Sequence, residues 1–130
     1  MERMFFGQMI LVGLGGFFGS GLRFALGGWV QRLFPYSQMP LGTMTVNVVG
    51  CLLIGFLGGL AEQRQLMDTG LRLFLLVGVL GGFTTFSTFA YESLALAQDS
   101  LYLKMLLNII GQVTLGFSAA WLGLVAARFL

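Results

Sequence analysis

The chain has 130 residues, of which 57% are hydrophobic and only 9% charged, whereas a soluble domain carries about a quarter charged residues. With a mean hydropathy of +0.90, this is the composition of a membrane protein: four spans of about 20 residues would use most of the chain, so one membrane domain over 1–130 is expected and no soluble domain. The net charge of +2 comes from seven basic and five acidic residues scattered singly, which excludes a nucleic-acid patch, and with no histidine and one cysteine, Cys51, neither a disulfide nor a Cys/His metal centre can form within the chain.

The first helix is expected over about 5–33. The apolar stretch Met4–Leu22 is longer than a leader-peptide core and lacks a small-x-small cleavage site, so it reads as a retained span. Gly15 and Gly19 form a small-xxx-small pair that lets another backbone approach. The run Gly13–Gly19 is superficially like a dinucleotide loop, but its spacing is one residue off and no strand precedes it. Arg23 either snorkels to the interface or is a buried charge that holds structure or attracts anions. Phe34–Pro40 contains both prolines and reads as a loop with interfacial aromatics.

The second helix is expected over about 42–61. It contains Asn47, whose amide needs partners in hydrocarbon. Thr43 lies four residues before Asn47 on the same face, with Gly50 nearby. Asn47 either glues helices together by an interhelical hydrogen bond or donates into a polar path. Gly55 and Gly59 make a second close-contact pair. Glu62–Gln65 and the following Leu66–Gly70 read as a short solvated linker.

The third helix, about 71–97, contains an unusual stretch for lipid: Gly81-Gly82-Phe83-Thr84-Thr85-Phe86-Ser87-Thr88-Phe89-Ala90-Tyr91-Glu92. Glycine and threonine are poor helix formers, and hydroxyls compete for the backbone. The stretch reads as a helix break, which membranes tolerate only against protein or a polar cavity. The plain alternative is a Gly/Thr packing face without a ligand. Phe86 and Phe89 share one face, and Glu92 is the only acid expected inside a span.

The fourth helix, about 101–128, presents Asn108 and Gln112 four residues apart. Gly116 with Ala120, and Ala119 with Gly123, provide packing faces. No Ser/His/Asp or Cys/His set exists, so an enzyme is not expected.

Three segments carry a family resemblance. Gly82–Phe89 with Glu92 resembles the third-helix signature of the Fluc/CrcB family of small fluoride channels. Gly15–Phe24 is similar to the family's glycine-rich first helix with its arginine. Leu41–Gly50 is similar to its second-helix segment with the asparagine. The resemblance covers the whole chain. It implies an all-α membrane fold with four transmembrane helices, a broken third helix, and an antiparallel dual-topology homodimer in lipid. It implies a passive fluoride channel in the cytoplasmic (inner) membrane of a prokaryote. Phe86 and Phe89 would be the paired pore rings and Asn47 the pore amide, with Thr43, Ser87, Thr88 and Glu92 along the polar path. Asn108 and Gln112, often tyrosine and serine in the family, would lie at or near the path. A structural Na⁺ would be held by the backbone carbonyls of Gly81 and Thr84.

The chemistry of the residues agrees with an anion path. Amides and hydroxyls donate hydrogen bonds, and phenyl edges are weakly positive. With both termini on one side, that side receives Arg3, Arg64, Arg72 and Arg128, and the other receives Arg32 and Lys104, a bias that sets orientation only weakly. Two other classes fit a compact four-helix chain. A small multidrug-type antiporter would exchange protons for cations on an embedded carboxylate, for which Glu92 is the sole candidate. A non-transporting scaffold subunit would use the same polar residues for packing.

Overall fold

The computed structural model describes residues 2–63 and 67–129, and every regular element within them is helical. Arg64, Gln65 and Leu66 of the expected linker, and with them the Arg64 of the charge count, lie outside the described residues. Helix α1 is Glu2–Leu33 and α2 is Leu41–Gln63. A third span, Thr69–Gln98, is composite. It begins with α3, Thr69–Arg72, passes through a π-helical segment, Leu73–Leu80, and continues as α4, Gly81–Phe83, and α5, Phe86–Gln98. Helix α6 is Tyr102–Arg128. Among the described residues four helical stretches are therefore long and apolar enough to cross a membrane, at 30, 22, 30 and 27 residues, and the chain is a multi-pass membrane protein.

The surface has the composition lipid requires. Phe17, Phe24 and Phe117 are 76%, 82% and 78% exposed, far beyond what an aqueous surface tolerates as a continuous patch. The buried core is thin and made of small or medium side chains such as Val46, Ala119 and Ala127. Lipid is as apolar as leucine, so helix contact comes from close backbone packing rather than exclusion of water.

Helix α2 packs mainly against α6, and α1 mainly against the third span. Glycines make both contacts possible. A Cβ at Gly19 would collide with the Val79 carbonyl and stand 2.9 Å from the Phe83 nitrogen. A Cβ at Gly55 would collide with the Ala120 carbonyl, and one at Gly123 would stand 2.7 Å from the Phe56 nitrogen. Of the small-residue pairs expected from spacing, Gly15, Gly19, Gly55 and Gly123 stand against neighbouring backbone, whereas Gly59 and Gly116 face the side chains of Ala127 and Cys51.

The ends of the spans are closed locally. Asp68 caps α3 by accepting from the Leu71 N–H at 2.7 Å, which satisfies a donor the first turn leaves open. Gln31 of α1 accepts from the Gly42 N–H at the start of α2, at 3.3 Å. Helix α5 ends with Ser100 in the left-handed region, φ 61°. There the Leu101 N–H reaches the Leu96 carbonyl at 2.8 Å and the Ser100 N–H reaches Ala97 at 3.0 Å. That pair of bonds turns the chain sharply into α6. The Lys104 ammonium also donates to Gln38 of the α1–α2 loop.

Between α4 and α5 two residues leave helical geometry. Thr84 has φ −80°, ψ 159° and Thr85 has φ −151°, ψ 113°. β-Branched side chains favour this extended backbone. Thr85 then caps α5, its Oγ1 accepting from the Thr88 N–H at 3.3 Å. The interruption falls inside the span, so its backbone groups need partners that lipid cannot supply.

Candidate functional site

Those partners come from α2 and α1. The Thr85 N–H donates to Asn47 Oδ1 at 2.8 Å, and Asn47 Nδ2 donates to the Thr85 carbonyl at 3.1 Å. The side-chain amide therefore engages the extended residue as a neighbouring strand would. The second Nδ2 hydrogen goes to Gln112 Oε1 of α6 at 2.8 Å, so both donors of Asn47 are used inside the protein. On the opposite side, Arg23 Nη1 of α1 donates to the Thr84 carbonyl at 3.4 Å. Arg23 is half-buried and points at the interruption.

The interruption frees carbonyls. In a continuous helix the Thr85 N–H would bond the Gly81 carbonyl and the Thr88 N–H would bond that of Thr84. Here Asn47 takes the first donor and the Thr85 hydroxyl takes the second. Gly81 and Thr84 thus present carbonyl oxygens released from helical bonding.

Two clefts meet at Thr85. The first, about 660 Å³, is lined by Arg23, Thr43, Thr88 and Glu92, together with Ser20 and Gln31. In it Thr43 Oγ1 donates to Glu92 Oε1 at 2.8 Å. Glu92 Oε2 is buried and has no hydrogen-bond partner among the described residues. The Thr85 hydroxyl donates to Thr88 Oγ1 at 2.9 Å. The second cleft, about 510 Å³, is more apolar and is lined by Asn47, Gly81, Thr84, Phe86, Phe89 and Gln112, with Cys51 in its wall. The Phe86 and Phe89 rings are 5.6 Å apart at 59°, a tilted pair that presents edges as well as faces. Phe86 is 79% exposed and Phe89 half-buried.

The residues singled out from sequence are therefore divided. Thr43, Thr88, Glu92 and Arg23 share one cleft; Asn47, Phe86, Phe89, Gly81, Thr84 and Gln112 share the other. Ser87 is exposed and lines neither, and Asn108 is fully buried behind them. Asn108 Nδ2 donates to Ser93 Oγ at 2.9 Å, and its Oδ1 accepts from Gln112 Nε2 at 3.0 Å. Sequence reasoning missed Ser93 and did not single out Thr85 from its neighbours. The available signal for Ser93 was its position four residues after Phe89, where a hydroxyl can bond back to the preceding turn.

Comparison with known proteins gives a consistent answer. Residues 10–124 match the family model described as CrcB-like protein, Camphor Resistance (CrcB). The "Fluoride-specific ion channel FluC" of Nitratidesulfovibrio vulgaris is 47% identical over 121 residues, covering 93% of this chain and 97% of the relative. The protein of the same name from Campylobacter jejuni is 46% identical over 117 residues, 90% and 94% of the two chains. "Fluoride-specific ion channel FluC 3" of Methanosarcina barkeri is 40% identical over 119 residues, 92% and 89%.

Proposed function

The chain belongs to the CrcB-like family, and from that premise we propose that it is a passive, fluoride-selective channel that lets cytoplasmic fluoride out and so relieves fluoride toxicity. The observation that carries this reading is the match to relatives named as fluoride-specific channels, at 40–47% identity over nearly their whole length. Those relatives are named as channels, and a channel is not an enzyme, so no catalytic step is ascribed to the chain.

Fluoride is small and strongly hydrated, so a path for it must replace water with donors. In this reading the Phe86 and Phe89 ring edges supply weakly positive hydrogens in the apolar cleft. The Asn47 amide lines the same cleft. Thr43 and Thr88 supply hydroxyls in the polar cleft, toward which Arg23 draws anions. Among the described residues no ammonium lines the cleft of the ring pair, which suits conduction, because an ion must leave as readily as it enters. Fluoride enters a cell as the neutral weak acid HF and ionises inside. A negative interior then drives the anion out of a prokaryotic inner membrane without a pump.

One chain leaves the ring pair open on its outer side, Phe86 being 79% exposed. An antiparallel second copy would cover it and enclose the path, and two-fold pairing is the commonest closed symmetry. A structural Na⁺ belongs to the same proposal. The carbonyls of Gly81 and Thr84 have lost their helical donors, and a hard cation takes oxygen ligands. The Thr84 oxygen has two lone pairs, one of which faces Arg23. The residues present thus fit the ion, which would supply a partner for carbonyl dipoles that lipid cannot solvate.

The test is fluoride efflux from liposomes holding the purified protein, with chloride as control. Rapid fluoride efflux without chloride efflux is expected. Equal rates for both anions, or none above empty liposomes, would overturn the reading.

A further inference from the structure

Among the described residues, the buried polar side chains are Thr85, Ser93, Asn108 and Gln112; the last three, with the backbone N–H of Thr85, belong to one chain of hydrogen bonds. The Thr85 N–H donates to Asn47, Asn47 to Gln112, Gln112 to Asn108, Asn108 to Ser93, and the Ser93 hydroxyl to the Phe89 carbonyl at 2.8 Å. The chain crosses from the third span to α2, then α6, and returns to α5. It starts one residue before Phe86 and ends on Phe89.

Its sense is forced. A backbone N–H can only donate and a carbonyl can only accept, so the two ends fix the orientation of every amide between them. Flipping Asn108 or Gln112 would set donor against donor or acceptor against acceptor in a buried site, and an unpaired buried group is costly. The first turn of α5, which carries both rings, is thereby held against α2 and α6 at each end.

We infer that Asn108 is a positioning residue, which holds Thr85 and the Phe86–Phe89 pair in place through this relay and does not itself contact the ion. The inference rests on the channel reading above. Asn108 is 0% exposed and lines neither cleft, whereas Gln112, which links it to Asn47, also lines the apolar cleft beside the ring pair. An ion could reach Asn108 only by breaking the relay.

The test is Asn108→Leu, read by fluoride flux per reconstituted protein and by hydrogen exchange at the Thr85 amide. Losing one link of a buried chain should lower flux about ten-fold and speed Thr85 exchange about ten-fold, in a protein that elutes like wild type. Wild-type flux overturns the inference. So does lowered flux with unchanged Thr85 exchange, because Asn108 would then be acting on the ion directly. Should Asn108→Leu not fold, Gln112→Glu decides the matter. Its carboxylate still accepts from Asn47 but has no proton for Asn108 Oδ1, whereas the protonated acid has one. Thr85 exchange relative to wild type at the same pH should therefore be raised at high pH and return toward wild type as pH falls. A ratio that does not change with pH overturns the relay. If the wild-type protein passes no fluoride, the channel reading fails while the exchange measurements still decide whether the relay holds Thr85.

Discussion

Asn47 holds Thr85 by both of its backbone polar groups, accepting from the N–H at 2.8 Å and donating to the carbonyl at 3.1 Å. A single side chain thus replaces the helical bond that the Thr85 N–H gives up and adds a donor to its carbonyl. The N–H bond to Asn47 leaves the Gly81 carbonyl without its helical donor, and the Thr85 hydroxyl, by capping α5, does the same for the Thr84 carbonyl.

Replacing Asn47 should therefore cost both structure and transport. Asn47→Asp keeps an acceptor for the Thr85 N–H but loses the donors to Thr85 and Gln112, and places a negative charge in a weakly screened site. Two buried acceptors left without donors should lower stability by roughly 2–4 kcal/mol, and fluoride flux should fall by more than ten-fold. Denaturation of the detergent-solubilised protein and liposome efflux read the two effects separately.

The rings should behave differently. Phe86 is 79% exposed in the single chain, so Phe86→Ile removes little internal packing and should change its folding stability by no more than about 0.5 kcal/mol. Phe86→Ile and Phe89→Ile keep bulk but lose the polarised edge. Flux should drop in both while elution stays normal, and Phe→Met should be milder because sulfur is polarisable. Wild-type flux in both Ile variants would mean that the path lies elsewhere.

Glycine substitutions should separate by position. A Cβ at Gly19 or Gly55 meets backbone carbonyls, whereas one at Gly13 or Gly21 meets nothing within 4 Å. Gly55→Val should force α2 from α6, costing about 3 kcal/mol or more in lost contact and strain. Gly13→Ala should leave the isolated fold intact. Monodispersity on size exclusion and melting temperature make the comparison; equal behaviour of the two variants would contradict the packing described above.

Two-way insertion can be tested from outside the cell. With Cys51 replaced by alanine, a single cysteine at Ser37, in the α1–α2 link, and one at Thr69, the first residue of the third span, flank opposite ends of the second span. An antiparallel dimer predicts partial labelling of each by an impermeant reagent and full labelling after permeabilisation. Labelling of only one site in intact cells would exclude dual topology.

Sodium should stabilise the protein if it occupies the freed carbonyls. Binding to the native state alone adds about 2.7 kcal/mol at a hundred times the dissociation constant. The melting temperature should rise with NaCl but not with choline chloride. Thr84→Ala should keep the effect because the ligand is a backbone oxygen. A sodium-independent melting curve in the wild type would remove the ion from the proposal.

The sequence by itself determined the class of the molecule. Low charge, high hydropathy and segment length decide how many helices lipid can hold, and those are properties of composition and local order. It also marked the small-residue pairs, because a missing Cβ is visible in the chain, and it marked Gly81–Glu92 as unfit for an ordinary span. The family was legible from the same run. Only the tertiary structure decided how the polar residues are divided. Periodicity put Thr43 and Asn47 on one face, yet the first bonds Glu92 in one cleft and the second bonds Thr85 in the other. The same periodicity placed Asn108 beside Gln112 but could not tell a buried amide from one facing a path, since that depends on which neighbour supplies its partner. Ser93 and Arg23 make the same point: a hydroxyl and a guanidinium acquire their roles from groups 15 and 61 residues away. In a membrane those distant partners are decisive, because no water is present to satisfy a polar group that the fold leaves alone.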